Sequence, residues 1–129
     1  MLSRTDEAYL QSKGFNFELT TDQGQICLVL KGYPLPQGYD PATTDLMLRL
    51  PPGFPDAQPD MFWCNPPIRL VSTGNYPQAA DLMETYIGKT WQRFSRHLTG
   101  GVWKPGVDGL GSYLTLIRSE LERSTGGPR

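Results

Sequence analysis

Two side chains suited to acyl transfer and proton transfer lie close together in the last third of the chain. Ser95 offers a hydroxyl nucleophile, and His97, the only histidine of the sequence, follows two residues later. In an extended segment residues i and i+2 point the same way, so His97 can take the proton that Ser95 must lose. An unperturbed imidazole pKa of about 6.5 suits that step. The pair predicts a serine nucleophile with a histidine base, or a histidine that is itself base or transient acyl carrier.

A plainer interpretation gives this pair no catalytic role. His97 would then lie on the surface, hydrogen-bonded near Asp108, and the serine would be structural. Arg93 and Arg96 flank the pair in a polar segment, which argues against His97 as a plain core residue. Either guanidinium would favour negative charge on the Ser95 oxygen.

The two cysteines are the other candidate nucleophiles. Cys64 follows the apolar run Met61–Trp63, which favours burial of its thiol as a small hydrophobe. Its nearness to Asn65 is the argument for a reactive thiol. Cys27 lies in the apolar run 25–30, where we expect a buried strand. The two are not spaced as C-x-x-C and the chain has one histidine, so the sequence predicts no metal site.

The composition indicates one domain in a reducing compartment. We expect the domain over residues 1–123, with 124–129 as a disordered tail that holds no core-forming residue. A net charge of −1 with mixed signs gives no basic field for nucleic acid. No apolar run approaches the roughly 20 residues of a membrane span, and the start lacks the apolar segment of a signal peptide. The sequence therefore predicts a cytoplasmic protein that binds neither nucleic acid nor membrane and uses no cofactor.

The first half of the chain reads as a helix followed by strands. Period-two alternation and turn residues mark the strands, and a glycine ends the helix. The expected elements are a helix over Asp6–Lys13, a hairpin of Phe15–Thr20 and Gln25–Leu30, a strand at Leu46–Leu50 with Asp45 and Arg49 on its wetter face, and a short strand at Met61–Trp63.

The second half is irregular until its last helix. Residues 78–86 are compatible with a helical turn or two. From Val107 to Leu121, apolar residues recur at steps of three and four, which predicts an amphipathic helix with Asp108 as its N-cap. Gly109 and Gly111 weaken its first turn by about 1 kcal/mol each relative to alanine. The order predicts an α+β fold: an N-terminal helix, an antiparallel meander of about four strands, and a C-terminal helix packed on the sheet.

Three motifs in this order resemble those of ubiquitin-conjugating (E2) domains. The segment Pro51–Phe62 is similar to the proline-rich connection after the third strand of those domains. Asn65–Ile68 looks like a degenerate form of their His-Pro-Asn motif, and Trp103–Pro105 resembles the Trp-x-Pro that follows their catalytic residue. The motifs and the Trp-Gln-Arg-Phe-Ser-Arg-His stretch also resemble prokaryotic E2-like proteins encoded near ubiquitin-like modifiers and their activating enzymes.

The resemblance implies a UBC-like fold and a carrier function. Such a protein accepts a ubiquitin-like modifier from an E1-like activating enzyme and transfers it, and these two proteins are its expected partners. The E2 cysteine stands about eight residues before the tryptophan, which here is the position of Ser95, and Asn65 would be the supporting asparagine. The long connection from Val71 to Phe94 reads as an insertion. Binding of the activating enzyme is implied for the first helix and Phe54–Pro55.

Two alternatives remain open from the sequence. One is a catalytically inactive E2 variant that binds a ubiquitin-like protein or an E1-like partner, and the other is a small-molecule-binding α+β domain unrelated to ubiquitin. The loop after the second strand supplies a further expectation. An exposed patch of aromatic and aliphatic side chains beside prolines would be a partner surface, and its members are Tyr33, Leu35, Tyr39 and Phe54.

Overall fold

Two helices and a six-stranded antiparallel sheet form the computed structural model, which describes residues 2–95 and 103–125. The sheet has the strand order β1-β2-β4-β5-β8-β7, and β3 and β6 make a separate two-stranded ladder. The predicted α+β class is confirmed, with more strands than the four expected. The elements are α1 (Arg4–Ser12), β1 (Asn16–Asp22), β2 (Gln25–Pro34), β3 (Tyr39–Asp40), β4 (Thr43–Leu50), β5 (Phe62–Asn65), β6 (Arg69–Leu70), β7 (Leu82–Tyr86), β8 (Lys89–Phe94) and α2 (Leu110–Ser124).

The N-terminal helix and the first hairpin follow the sequence pattern closely. The Ser3 hydroxyl accepts a hydrogen bond from the Asp6 amide at 3.1 Å, which caps α1. Gly14, at φ 72°, takes the left-handed conformation that ends the helix. β1 and β2 then pair without a shift from Asn16 opposite Lys31 to Asp22 opposite Gln25. The predicted helix and hairpin are confirmed, with ends within two residues except that β2 continues four residues beyond the predicted Leu30.

The helices bury one face of the sheet in a continuous apolar cluster. On β5 and β8 this face carries Phe62 and Phe94, whose rings stack at a centroid distance of 4.6 Å. The remaining members come from α1, α2 and the central strands. The fully buried ones include Leu10, Leu28, Leu30, Leu46, Leu48, Cys64, Ile68, Leu110, Tyr113, Ile117 and Leu121.

The opposite face of the sheet holds a second, smaller cluster. Its buried members are Cys27, Val29, Met47, Trp63 and Trp91. Alternation along each strand divides the apolar residues between the two faces. Neither described helix contributes to this cluster, and we call this second side the helix-free face with reference to the described residues.

Arg49 lies at the edge of the helix-free face and corrects the expectation of a wet position there. Its side chain is 7% exposed, and the guanidinium stacks over the Tyr86 ring at 3.9 Å. It also donates to the Asp22 carboxylate at 3.0 Å and the Gln25 amide oxygen at 3.0 Å. A planar cation with this many partners can be buried where a lone charge could not.

The expectation of helical turns in residues 78–86 is wrong. Residues 82–86 form β7, which turns at Ile87 and Gly88 into β8 and adds a hairpin to the sheet beside β5. Both turn residues have positive φ, 47° and 78°, as a tight two-residue hairpin requires. Isoleucine rarely takes that conformation, so the usual Asn-Gly or Asp-Gly signal for such a turn is missing.

The predicted N-cap of the last helix is also wrong. The Asp108 carboxylate accepts from the Lys104 amide at 2.8 Å and so closes the preceding turn, while Gly109 occupies the N-cap position. Asp6 of α1 serves the helix instead, because its Oδ1 accepts from the Leu110 amide at 3.0 Å. A Cβ at position 109 would lie 2.7 Å from that oxygen. A side chain at position 109 would therefore displace the Asp6 carboxylate from the Leu110 amide, so the close approach of α1 favours glycine here.

The expected exposed patch after β2 is wrong in most of its members. Tyr33 and Tyr39 are buried, and the Tyr39 hydroxyl donates to the Leu121 carbonyl at 2.7 Å. Leu35 and Phe54 are half-buried against the helix-side cluster. Tyr39 thus anchors α2, and the expected exposed patch does not form.

In the part of the chain that the structure describes, neither helix is long and apolar enough to cross a membrane. α2 continues to Ser124, one residue into the expected tail, and residues 126–129 lie outside the described residues.

Candidate functional site

Two of the three motifs noted in the sequence are joined by a direct contact. The Trp103 indole donates its N–H to the Pro55 carbonyl at 2.8 Å. The same ring lies edge-on to Tyr113 of α2 at 6.4 Å. The Tyr113 hydroxyl in turn donates to the Met61 carbonyl at 2.8 Å, and burial together with the charge of Asp60 raises the pKa of this phenol. The proline segment, the Trp-Lys-Pro and α2 therefore form one unit at the start of β5.

Ser95 lies beside that unit, at the end of β8. Phe62 pairs with Phe94, so Ser95 follows directly on the ladder and stands across from Met61. Its amide donates to the Ala79 carbonyl at 3.0 Å, and its side chain is half-buried. Its oxygen accepts a hydrogen bond from Arg93 Nε at 3.0 Å. Since Arg93 pairs with Trp63, the Ser95 hydroxyl lies on the helix-free face.

A carboxylate on the neighbouring strand holds Arg93. Glu84 Oε2 lies 2.9 Å from Arg93 Nη1, and both side chains are about one-quarter exposed. Glu84 Oε1 accepts from the Trp63 indole at 2.9 Å and from the Tyr86 hydroxyl at 3.3 Å. Burial and the charge of Glu84 raise the pKa of Tyr86, so the hydroxyl remains a donor. A continuous chain of hydrogen bonds thus runs from Trp63 through Glu84 and Arg93 to Ser95.

Cys64 lies on the other face of the same strand pair. It is fully buried in the helix-side cluster, and burial raises the pKa of its thiol far above the usual range, while a hydrogen bond with Thr44 opposes the shift. Cys27 is buried on the helix-free face. Burial raises the pKa of its thiol, and the nearby positive charge of Arg49 partly offsets this rise. Both thiols are free, and the sheet separates them. A buried neutral thiol is a poor nucleophile.

Asn65 ends β5 at the opposite end from Ser95. Its side-chain amide donates to the Thr90 carbonyl at 2.8 Å. Thr90 lies five residues before Ser95 along β8, a distance of about 16 Å at the rise of an extended strand. The structure therefore does not bring the expected supporting amide to the serine.

Gln92 is a site-forming residue that the sequence did not reveal. It is fully buried opposite Cys64, where its side-chain oxygen accepts from the Ile68 amide at 2.8 Å and its NH₂ donates to the carbonyls of Ile68 and Ala80. These bonds fix the Asn-Pro-Pro-Ile loop and the segment beside Ser95. The signal that could have indicated this role is an amide side chain between the aromatic Trp91 and the Arg93–Phe94 end of the strand, since a buried amide must be hydrogen-bonded.

A cleft of about 420 Å³ opens on the helix-free face next to this chain of hydrogen bonds. Arg93 and Glu84 line it, together with Arg49, Trp63 and Tyr86. Within residues 2–95 and 103–125, no three His, Cys, Asp or Glu side chains are grouped as metal ligands.

His97 lies outside the described residues, as does Arg96. The proposed pairing of His97 with Ser95 therefore stays a prediction. Among the described residues, the Ser95 hydroxyl is half-buried and accepts a hydrogen bond from the Arg93 guanidinium. Such a donor favours negative charge on that oxygen and leaves the hydroxyl proton available to a base.

No curated protein and no solved structure matches the chain significantly. A family match does exist, and it extends from before α1 to the end of α2. By that match over residues 2–124, the chain belongs to prokaryotic E2 family E.

Proposed function

We propose that this protein is an acyl carrier of a prokaryotic ubiquitin-like conjugation system. It accepts the carboxyl-terminal acyl group of a ubiquitin-like modifier from an E1-like activating enzyme and passes it on. Ser95 is the proposed carrier, and His97 is the proposed base. Membership of an E2-like family supports the general role, and the small-molecule-binding alternative has no such support.

One observation carries the assignment of the carrier. Ser95 is half-buried, and its oxygen lies 3.0 Å from a guanidinium nitrogen. Neither cysteine offers this setting, because both are buried and have raised pKa values. The hydroxyl is therefore the better placed of the described nucleophiles.

The transfer step balances with the groups proposed. The Ser95 oxygen attacks the modifier's terminal carbonyl carbon, a C–O ester bond forms, and the bond from that carbon to the activating enzyme's leaving group breaks. His97 takes the hydroxyl proton and returns it to the leaving group. In the second half an acceptor nucleophile attacks the ester and releases the serine. If His97 is itself the carrier, an acyl-imidazole replaces the ester.

The second candidate is a catalytically inactive E2 variant that binds a ubiquitin-like protein or the E1-like enzyme. The burial of both cysteines favours it, because a thioester, the usual carrier linkage of E2 domains, has no exposed thiol to form on. This candidate predicts retained binding without a covalent adduct.

Mass spectrometry of the intact protein separates the two candidates. The protein is incubated with ATP and with its cognate E1-like enzyme and modifier. We expect an adduct of one modifier less one water, which hydroxylamine removes. Absence of the adduct together with retained modifier binding would leave only the binding module.

Four alanine variants then assign the carrier. Ser95→Ala should abolish the adduct, and His97→Ala should slow its formation by 10²-fold or more if the imidazole is the base. Cys64→Ala should leave the adduct in place. Ser119→Ala, which changes an exposed serine of α2, is the matched control. An adduct that survives Ser95→Ala rules out that serine.

A further inference from the structure

Arg93 differs from an ordinary surface arginine in how its donors are used. Nε donates to Ser95 Oγ at 3.0 Å, while Nη1 donates to Glu84 Oε2 at 2.9 Å. Glu84 is fixed in turn by the Trp63 indole at 2.9 Å. The planar guanidinium holds its donors at fixed angles, so anchoring one edge to Glu84 sets the position of the other edge. The serine oxygen thus meets a cation whose orientation is determined by two neighbouring strands.

We propose that Arg93, held by Glu84, is the positioning residue of the acyl-transfer centre. It orients the Ser95 hydroxyl on the helix-free face and stabilises the negative charge that its oxygen develops during attack. The inference rests on the proposed function, since it assigns a role toward the serine named there. Arg93 acts as donor and cation, never as base, because guanidinium does not lose its proton in proteins.

The charges around Ser95 show why the orientation matters. Arg49 from β4, Glu84 from β7 and Asp60 from the segment before β5 line the same cleft as Arg93. Arg49 directs its guanidinium to Asp22 and the Tyr86 ring, away from the serine. Among these cleft charges, the bond to Ser95 comes from Arg93. Within residues 2–95 and 103–125, Arg93 is therefore the cleft cation bonded to Ser95, and one substitution removes that bond.

A purely structural explanation is the competing view. The Arg93–Ser95 bond would then only tie the end of β8, and losing it would change stability without changing the chemistry at position 95. The acidity of a group placed at position 95 separates these explanations. A neighbouring cation within hydrogen-bond distance lowers a thiol pKa, whereas a structural tie does not.

The test installs a thiol as a reporter and needs no partner protein. Ser95→Cys is alkylated with iodoacetamide across a pH series, and the midpoint of the rate gives the thiol pKa. The wild-type chain supplies the background, because its two cysteines are buried. We expect a midpoint of about 7.5, compared with about 8.5 for a free thiol.

Adding Arg93→Gln to that background should raise the midpoint by about 1 pH unit and slow alkylation at pH 7 by roughly fivefold or more. Arg93→Lys keeps the charge but loses the planar set of guanidinium donors, so the thiol pKa should be lowered only in part. Arg123→Gln removes an equal charge from an exposed position of α2 and should change nothing. An identical midpoint with and without Arg93 would overturn the proposal.

Two controls keep the result interpretable. Circular dichroism and chemical unfolding check that each variant folds. If Arg93→Gln destabilises the sheet by leaving Glu84 unpaired, Arg93→Gln with Glu84→Gln removes both charges and keeps a neutral hydrogen-bonding pair. Its midpoint should still return to about 8.5, and a midpoint that stays low would count against Arg93. Because the reporter requires neither modifier nor ATP, it can fail while the adduct still forms, and the reverse.

Discussion

The two faces of the β5–β8 ladder place two candidate nucleophiles in opposite environments. Cys64 faces the helices, is fully buried among apolar side chains, and has its thiol pKa raised by that burial. Ser95 follows β8 on the helix-free face, is half-buried, and has a guanidinium on its oxygen. The intrinsically better nucleophile has the worse site. Position on the sheet, rather than residue type alone, decides which group can react.

The two faces also differ in their roles: one mainly stabilises the fold, and the other arranges the candidate site. On the helix side, burial of apolar side chains stabilises the fold, and the described β5–β8 ladder carries no charged side chain on that face. On the helix-free side, Arg49 stacks over the Tyr86 ring, while Glu84 accepts from the Trp63 indole and Arg93 donates to the Ser95 hydroxyl. Substitutions on the first face should therefore change stability most, and those on the second should change reactivity more than stability.

The largest stability effect is expected on the helix side. Phe94→Ala removes a ring that is fully buried and stacked on Phe62 at 4.6 Å. The lost burial and the cavity left behind should lower the free energy of unfolding by about 3–5 kcal/mol. Urea unfolding followed by tryptophan fluorescence measures it. A loss below about 1 kcal/mol would show that the helix side is not the main core.

On the helix-free face Arg49→Met should cost less, about 2 kcal/mol. It removes the cation over the Tyr86 ring and the partner of Asp22, but the Asp22 carboxylate is partly exposed and can turn to water. The same unfolding assay compares the two variants directly. If Arg49→Met cost more than Phe94→Ala, the assignment of stability to the helix side would fail.

The raised pKa of Cys64 predicts a fall in stability at alkaline pH. The thiol is neutral in the fold and ionises at about pH 8.5 in the unfolded chain, so its contribution is complete below that pH and is lost above it. Between pH 8.5 and 9.5 the free energy of unfolding should drop by about 1 kcal/mol from this group. Cys64→Ala, under reducing conditions, should show a shallower drop. Equal slopes in both proteins would contradict the burial of the thiol.

The smallest effect is expected for an ion pair on the solvent-facing side of α2. Arg123 of α2 is more than half exposed and meets Glu120 at 3.1 Å, three residues away on the helix. Arg123→Ala should change the free energy of unfolding by less than about 0.5 kcal/mol. The same denaturation curves measure this variant, and its small change in the free energy of unfolding serves as the reference for the variants on the two faces.

The sequence predicted the elements whose local signals are complete. Alternating apolar and polar residues together with the turn at Gly24 predicted the first hairpin. Apolar residues spaced three and four apart predicted α2. The β7–β8 hairpin was missed because its turn uses Ile87, a residue that seldom adopts positive φ. The helix cap was misassigned because Asp6, more than one hundred residues away, occupies the position that Asp108 was expected to fill. Local patterns cannot report a partner brought by tertiary packing.

The candidate site was predicted only in part for the same reason. Spacing to the Trp-Lys-Pro selected Ser95, and the apolar neighbours of Cys27 and Cys64 indicated their burial. The role of Glu84 depends on the diagonal arrangement of β7 against β8, which no local signal gives. His97 remains a prediction.

The central claim, that Ser95 on the helix-free face carries the acyl group, is tested most directly by locating the adduct. Trypsin cleaves after Arg93 and Arg96, so Ser95 is released in the tripeptide 94–96, His97 in the peptide 97–118, and Cys64 in the peptide 50–69. Brief digestion after the reaction with ATP, the E1-like enzyme and the modifier, followed by tandem mass spectrometry, identifies the modified peptide. We predict the modifier's C-terminal remnant on the tripeptide, removable by hydroxylamine. A remnant on either of the other peptides, or on none, would contradict the account.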